Sequence, residues 1–324
     1  MAIEAVSGSG LIRRTDFLFS FCREKKPGEG EDSIAYALNE CRAMLAVFDG
    51  CGGSGAGRYP GLKGKTGAYL AARAACAAWM DWFETLDGAG EPDQEPLRKR
   101  LLDYLRCCEE NGGEDSGSKL LGSMSRRLPT TVAAALCSPG RSGIDVQLQW
   151  AGDSRIYLLD GDGLAQLTED DLGGLDAMQN LTADAPLTNA ISLSRDFTIH
   201  SARLTMGRPG LLFAATDGCY GYFSTPMEFE HLLLSSLQSA PNIRAWEESL
   251  AEAIGKVAGD DFSVSGAAFN FGSFDNVKRQ MARRCDLVYR TYIYGLQSCS
   301  REEKQQLWEH YKPHYERLLC RTGE

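Results

Sequence analysis

Met44-Leu45-Ala46-Val47-Phe48-Asp49-Gly50-Cys51-Gly52-Gly53 sets an unbroken apolar run against one acidic residue and three glycines. A short apolar run closed by a turn signal reads as a buried strand, and Asp-Gly by itself usually marks a hairpin. No second strand follows at once. The glycine-rich stretch continues to Gly64 and gives way to a helix over 65–83, where Ala68, Ala72, Ala75, Trp79 and Phe83 recur at three- and four-residue spacing. Asp49 is therefore a carboxylate at a strand end. The glycine beside it lets an ion approach the backbone as well as the side chain. The same form recurs in Leu211-Leu212-Phe213-Ala214-Ala215-Thr216-Asp217-Gly218.

Three further acidic sites lie at the ends of predicted strands. Glu31-Asp32-Ser33 opens a strand over 34–39, Gly152-Asp153-Ser154-Arg155 sits between two strands, and Gly259-Asp260-Asp261 opens the last one, 262–271. Five carboxylate sites so placed gather charge at one rim of a sheet. The donors are all oxygen, and His200, His231, His310 and His314 fall outside these motifs. Such a set suits Mg²⁺ or Mn²⁺ rather than Zn²⁺ or copper. Without cations the carboxylates repel one another; with two divalent ions the site becomes one for phosphate hydrolysis.

The remainder frames this rim. Strands are expected over 131–137, 145–150, 154–159 and 164–167, with Asp160-Gly161-Asp162-Gly163 as the clearest hairpin signal. A polar loop spans 170–184, two more strands fall at 197–204 and 210–215, and helices at 97–108, 227–237 and 242–257. Residues 275–324 change character, with ten basic and seven acidic residues. They read as two helices broken near 298–301, with Leu307, Tyr311, Tyr315 and Leu318 as one apolar stripe, serving as a stabilising cap or a docking arm. The expected division is 1–272 and 273–324.

The chain has 324 residues, 34 basic against 44 acidic, for a net charge of −10. That balance argues against non-specific binding to nucleic acid or an anionic membrane. No apolar window reaches the 18 or so residues a membrane helix needs, and residues 1–15 carry no secretory leader. Eleven cysteines without paired spacing suit a reducing cytoplasm better than a disulfide scaffold. Two glycine motifs fail as nucleotide sites. Gly50-x-Gly52-x-x-Gly55 follows a strand, but Asp49 would face the pyrophosphate and the helix starts too late. Gly64-Lys65-Thr66 lacks the first glycine of a P-loop, where Tyr59 stands.

The ordered set of motifs resembles the metal-dependent protein phosphatase 2C family. Glu31-Asp32-Ser33 is similar to its early acidic motif, Asp49-Gly50-Cys51-Gly52-Gly53 to DGxGG, and Thr130-Thr131-Val132-Ala133 to the core strand that follows. Gly152-Asp153-Ser154-Arg155 is similar to GDSR, Asp217-Gly218 to the later DG, and Asp260-Asp261-Phe262-Ser263-Val264 to the closing D-N-x-S/T-V. The resemblance covers about 32–269. It implies an α+β fold, a four-layer α-β-β-α sandwich of two antiparallel sheets flanked by helices. It also implies a serine/threonine protein phosphatase that hydrolyses phosphomonoesters with a metal-bridging hydroxide and two Mn²⁺ or Mg²⁺ ions. Carried over by position, Asp49 bridges both metals, Gly50 offers its carbonyl, and Asp217 and Asp260 complete the shell of the first metal. Glu31 and Asp32 hold metal-bound waters, and Asp153 with Asp217 forms a third, weaker metal site. Asp49, Asp217 and Asp260 are thus the implied catalytic residues, and phosphorylated proteins the implied partners.

Three positions depart from that pattern. Cys51 stands where eukaryotic members carry histidine, a proposed general acid. Pro27 stands where the phosphate-binding arginine is expected, leaving Arg23 as the best substitute and Arg13 and Arg14 as alternatives. Asp261 replaces an asparagine. Cys51 and Cys219 both follow Asp-Gly and read either as small filler residues or as peroxide-sensitive thiols. Loss of the arginine and histidine keeps open a phosphatase-like binding module with little turnover; hydrolysis of a small phosphorylated metabolite is a third reading.

Overall fold

The computed structural model describes residues 11, 14–86, 92–113, 127–181 and 185–321. The chain opens with β1 (Thr15–Arg23), β2 (Ser33–Leu38) and β3 (Ala43–Phe48), then a short hairpin of β4 (Arg58–Tyr59) and β5 (Lys65–Thr66). Helices α1 (Gly67–Glu84) and α2 (Glu95–Gly112) precede β6 (Val132–Pro139), β7 (Ile144–Ala151), β8 (Arg155–Asp160) and β9 (Gly163–Gln166). After the short α3 (Ala177–Asn180) come β10 (His200–Met206), β11 (Gly210–Ala215), α4 (Pro226–Ser239), α5 (Ile243–Gly255) and β12 (Phe262–Phe269). Helices α6 (Phe274–Val288) and α7 (Arg301–Tyr315) follow.

Two five-stranded antiparallel sheets form, in the orders β1-β12-β11-β8-β9 and β10-β7-β6-β3-β2. The period-2 alternation of a strand explains how they stack. Every residue of β3 is buried. Ala43, Leu45 and Val47 join Leu212 and Ala214 of β11 in the core between the sheets. Met44, Ala46 and Phe48 point the other way, into a cluster with Ala75, Trp79 and Phe83 of α1. From β11, Leu211, Phe213 and Ala215 face α4 and α5. The result is the expected α-β-β-α sandwich, and β3 and β11, stacked through its middle, deliver Asp49 and Asp217 to the same end.

The observed strands and helices match the sequence reading to within a few residues, with four differences. β1 pairs with β12 along its whole length, from Thr15 opposite Phe269 to Arg23 opposite Phe262, where no strand was expected. Residues 58–66 form a hairpin instead of continuing the glycine-rich loop, so α1 starts at Gly67, with the Thr66 hydroxyl capping the Tyr69 N–H at 3.1 Å. The strand expected from 197 begins only at His200. The apolar stripe of the last helix ends at Tyr315, because α7 ends there and Leu318 is 39% exposed; Trp308 fills the stripe instead.

Residues beyond 272 are not set apart from the sandwich. Val277, Met281, Trp308, Tyr311 and Tyr315 belong to the same apolar cluster as Phe213 and Phe229. Glu230 of α4, fully buried, pairs with Arg284 of α6 at 2.7 and 2.9 Å, and accepts from the Leu164 N–H at 3.0 Å and the Tyr311 hydroxyl at 2.5 Å. Past α7 the chain adds a short bridge to the continuation of β9. There the Cys320 N–H donates to the Leu167 carbonyl at 2.9 Å, and Glu169 N–H donates to Cys320 at 3.3 Å. No described helix is long and apolar enough to cross a membrane.

Candidate active site

Asp49 leaves β3 with its carbonyl fixed by the Thr131 N–H and the Thr130 hydroxyl, both at 2.8 Å, which gives these threonines a structural role. Gly50 then passes so close to α1 that a Cβ there would lie 2.5 Å from the Ala68 carbonyl oxygen, so only glycine fits. On the facing sheet, Asp217 opens a single tight turn after β11, its carbonyl accepting from Tyr220 N at 3.0 Å and Gly221 N at 2.6 Å. Asp217 stands close enough to Asp49 for its charge to raise the Asp49 carboxyl. Gly218 in turn nests against the backbone of Asp261, leaving no room for a Cβ, and so holds the β12 entrance with Asp260 at this corner.

Asp32 lies beneath, almost wholly buried, its Oδ2 accepting from the Thr216 hydroxyl at 2.9 Å. The same Thr216 oxygen accepts from the Ser263 N–H at 2.9 Å, tying β2, β11 and β12 together. Burial, partly offset by hydrogen bonds and reinforced by Asp217, pushes Asp32 up to about 8. Burial raises Asp49 well above the carboxylate range, with the Asp32 and Asp217 charges adding to it. Asp153 is raised in the same way, by burial first and then by Asp217 and Asp170. Asp217 is also raised by burial and by Asp260. Glu31 is raised by burial while its Oε1 accepts from the Thr66 hydroxyl at 2.5 Å.

These shifts state the chemistry of the corner. Four carboxyl groups, Asp32, Asp49, Asp153 and Asp217, one from each of four motifs, feel one another in a place where charge is costly. An all-oxygen donor set of this kind, with the Gly50 backbone beside it, fits Mg²⁺ or Mn²⁺. Among the described residues, no three acidic, His or Cys side chains already stand as a closed ligand group. The fit is therefore one of donor chemistry and charge.

The Gly152-Asp153-Ser154-Arg155 corner is built by neighbours. Gly152 has φ +100° and faces Thr131 with no space for a Cβ, while its N–H donates to Asp171 at 2.8 Å. Arg155 spends its guanidinium on Asp170. It is 1% exposed and forms a forked pair with Asp170 at 2.6 to 3.1 Å, with its guanidinium 4.0 Å above the Tyr220 ring. The Tyr220 hydroxyl donates to the Asp153 carbonyl. A cleft of about 330 Å³ opens here, lined by Asp153, Asp170, Asp217, Tyr220 and Tyr222.

The substituted positions also find partners. Asp261 accepts from the Lys25 and Glu31 N–H groups, each at 2.6 Å, and so anchors the loop that carries Glu31. Cys219 is fully buried and donates to the Ser263 carbonyl at 3.2 Å; burial pushes its thiol well above the ordinary value, which leaves it a filler. Cys51 is half-buried, its N–H on the Pro129 carbonyl at 3.2 Å. Arg23 does not line the cleft that holds Asp153 and Asp217. It is exposed at the end of β1, lines a depression against α5 with Glu248 and Glu252, and bonds the carbonyl of Cys22 at 3.3 Å. Arg14 bonds the Gly143 carbonyl at 2.7 Å, and Arg13 lies outside the described residues. A second cleft, about 450 Å³, is lined by Glu31, Asp260 and a group of cations that includes Lys25 and Arg58.

Three residues at the site escaped the sequence reading. Asp170 and Tyr220 carried no signal beyond their motifs' neighbourhood. Tyr222, 47% exposed, packs against Gly259 within range of the Asp260, Asp217 and Asp49 charges.

A family model described as protein phosphatase 2C matches residues 25–255. The chain belongs to the protein phosphatase 2C family. No curated protein sequence matches it. The fold is shared with solved serine/threonine phosphatases at low identity. One is PstP/Ppp of Mycobacterium tuberculosis, with 16% identity, a TM-score of 0.52, and 78% of this chain and 97% of that one covered. A second structure is the PstP catalytic domain in complex with two manganese ions, with 15% identity, a TM-score of 0.52 and the same coverage. Stp1 of Staphylococcus aureus is similar at 15% identity and a TM-score of 0.57, covering 79% of this chain and 97% of its own.

Proposed function

We propose that this protein is a metal-dependent phosphatase acting on phosphoserine or phosphothreonine in proteins, with two Mn²⁺ or Mg²⁺ ions and a third, weaker one. The observation that carries this reading is the meeting of Asp49 and Asp217, delivered to one end of the sandwich by strands of the two facing sheets and near enough for their charges to interact. Asp49, Asp217 and Asp260, with the Gly50 carbonyl, would hold the principal ions; Asp153 with Asp217 would take the weaker one. Glu31 and Asp32 would order water around them. Bound ions of this kind supply a nucleophilic water at neutral pH and counter-charge for phosphoryl oxygens. The protein's own part is to bring carboxylates from separate strands to one rim, to keep Asp32 away from bulk water, and to keep the Glu31 loop in place through Asp261. Residues 1–272 would form the catalytic part and 273–324 a bracing extension. Eleven free thiols support a cytoplasmic setting.

Hydrolysis of a phosphothreonine peptide, assayed with Mn²⁺, Mg²⁺ or chelator on wild type and Asp217→Asn, tests the reading. Mn²⁺-dependent turnover that collapses in the variant is the expected result. Folded, Mn²⁺-loaded protein that turns over neither peptides nor small phosphates would favour the second reading, a binding module of the same fold. The placement of Arg23 against α5 speaks for that alternative.

A further inference from the structure

We propose that the β4–β5 hairpin builds an anion-binding subsite beside the carboxylate corner, which receives a negatively charged group flanking the scissile phosphate of the substrate. The inference rests on the phosphatase reading above and adds to it what the substrate must look like.

The protein carries a net charge of −10, so an acidic phosphoprotein is repelled at long range. Within the 450 Å³ cleft cations outnumber acids, five against the four carboxylates of Glu29, Glu31, Asp260 and Asp261. Lys25, Lys26, Arg58, Lys63 and Lys65 all line it, and three of the five come from one hairpin of nine residues, Arg58 to Thr66. Two of the acids in the cleft already have partners: Asp261 on two backbone N–H groups, Glu31 on the Thr66 hydroxyl. The last hairpin residue therefore touches the acidic motif itself, which puts the cations next to the place where a phosphate would be cleaved.

The hairpin is rigidly mounted. Arg58 pairs with Thr66 and Tyr59 with Lys65 across the two strands, and Gly64 N–H returns to the Tyr59 carbonyl at 3.0 Å. Tyr59 is buried against Gly112 at the end of α2, where a Cβ would collide with its ring. The Arg58 guanidinium holds the Gly64 carbonyl at 2.9 Å, and Lys65 Nζ holds the Gly28 carbonyl at 2.8 Å while lying 4.2 Å over the Tyr69 ring. Lys63 sits at the tip, exposed, with φ +59°. Cations held on a fixed frame lose little freedom when an anion arrives. A second phosphoryl group, with nearly two charges and three acceptor oxygens, or an acidic side chain would meet the same donors.

The test uses three peptides of equal length around one phosphothreonine: neutral flanks, glutamate flanks, and a neighbouring phosphoserine. The quantity read is the ratio of kcat/KM between anionic and neutral peptides, with Mn²⁺, for wild type and Lys63→Ala/Lys65→Ala. Wild type should prefer an anionic peptide about fivefold, the scale of one or two exposed ion pairs. The ratio should shrink with added salt and fall to about one in the double variant. Preference for both anionic peptides assigns the subsite to carboxylates as well as phosphates; preference for the doubly phosphorylated one alone assigns it to phosphoryl groups. Equal kcat/KM in wild type at low salt, or a ratio that survives in the variant, overturns the proposal. Should the double variant unfold, Lys63→Glu at the exposed tip reads the same ratio, with the preference reversed as the expected result. If wild type cleaves no peptide, the phosphatase reading fails by itself. Anisotropy of the labelled peptides then decides the subsite: tighter binding of the anionic ones that is lost in the variant supports it, and equal binding rejects it.

Discussion

The Tyr315 hydroxyl, in the last turn of α7, lies 3.4 Å from Nη1 of Arg155, two residues beyond Asp153. The same hydroxyl is 3.3 Å from that of Tyr157, whose ring stacks on Phe213 at 5.2 Å. A residue of the C-terminal extension thus completes the shell around a buried guanidinium that also carries Asp170 and Tyr220, and through Tyr220 the backbone of Asp153. Helix α7 is part of the wall behind the site.

Truncating Trp308, which is fully buried and donates to Asp176 at 3.1 Å, should therefore destabilise the whole sandwich. Trp308→Ala should cost about 3–5 kcal/mol in urea unfolding, in a single transition. A separate early transition confined to the extension would show that it folds alone.

Arg155 and Asp170 are 1% and 3% exposed. Arg155→Met or Asp170→Asn should each cost about 3–5 kcal/mol, because a buried partner is left uncompensated. The two changes together should cost less than their sum in a double-mutant cycle. Strict additivity would mean that the pair is not coupled.

Divalent ions should relieve the crowding of carboxylates. Adding Mn²⁺ to chelator-treated protein should raise Tm, by an amount equivalent to about 2.7 kcal/mol at a hundredfold excess over Kd. Asp217→Asn should lose most of that rise. An unchanged Tm at millimolar Mn²⁺ would argue against metal sites at this corner.

In chelator, stability should fall with rising pH. Asp32 has its folded value pushed up to about 8 against about 3.9 in an unfolded chain. Its contribution is complete below the unfolded value and is lost as pH climbs through the folded one. Denaturation midpoints measured from pH 5 to 9 should decline, and Asp32→Asn should flatten the decline. Midpoints that rise over this range would contradict the burial of this carboxyl.

Much of this could be seen in the sequence, for identifiable reasons. Asp49 and Asp217 stand where an apolar run stops, and a strand buried on both faces leaves its first polar residue at the rim. β1 does carry a signal, since Phe17, Phe19 and Phe21 alternate as strand residues do, a period that a search for a leader passes over. Pro60-Gly61 in the β4–β5 hairpin is a turn signal that the glycine-rich reading absorbed. What no local pattern carried is the set of long-range partners. Asp261 receives N–H groups from residues some 230 positions earlier, and Arg155 meets Tyr315 from the other end of the chain. The direction of the Arg23 side chain, too, depends on how β1 docks against α5.

The bridge at Cys320 has a consequence for how molecules behave toward one another. β9 is the outer strand of its sheet, and an open edge offers donors and acceptors to any second chain. Residues around Cys320 occupy the continuation of that edge, at Leu167 and Glu169. A chain shortened to end before Leu319 should keep its core yet gain a tendency to self-associate.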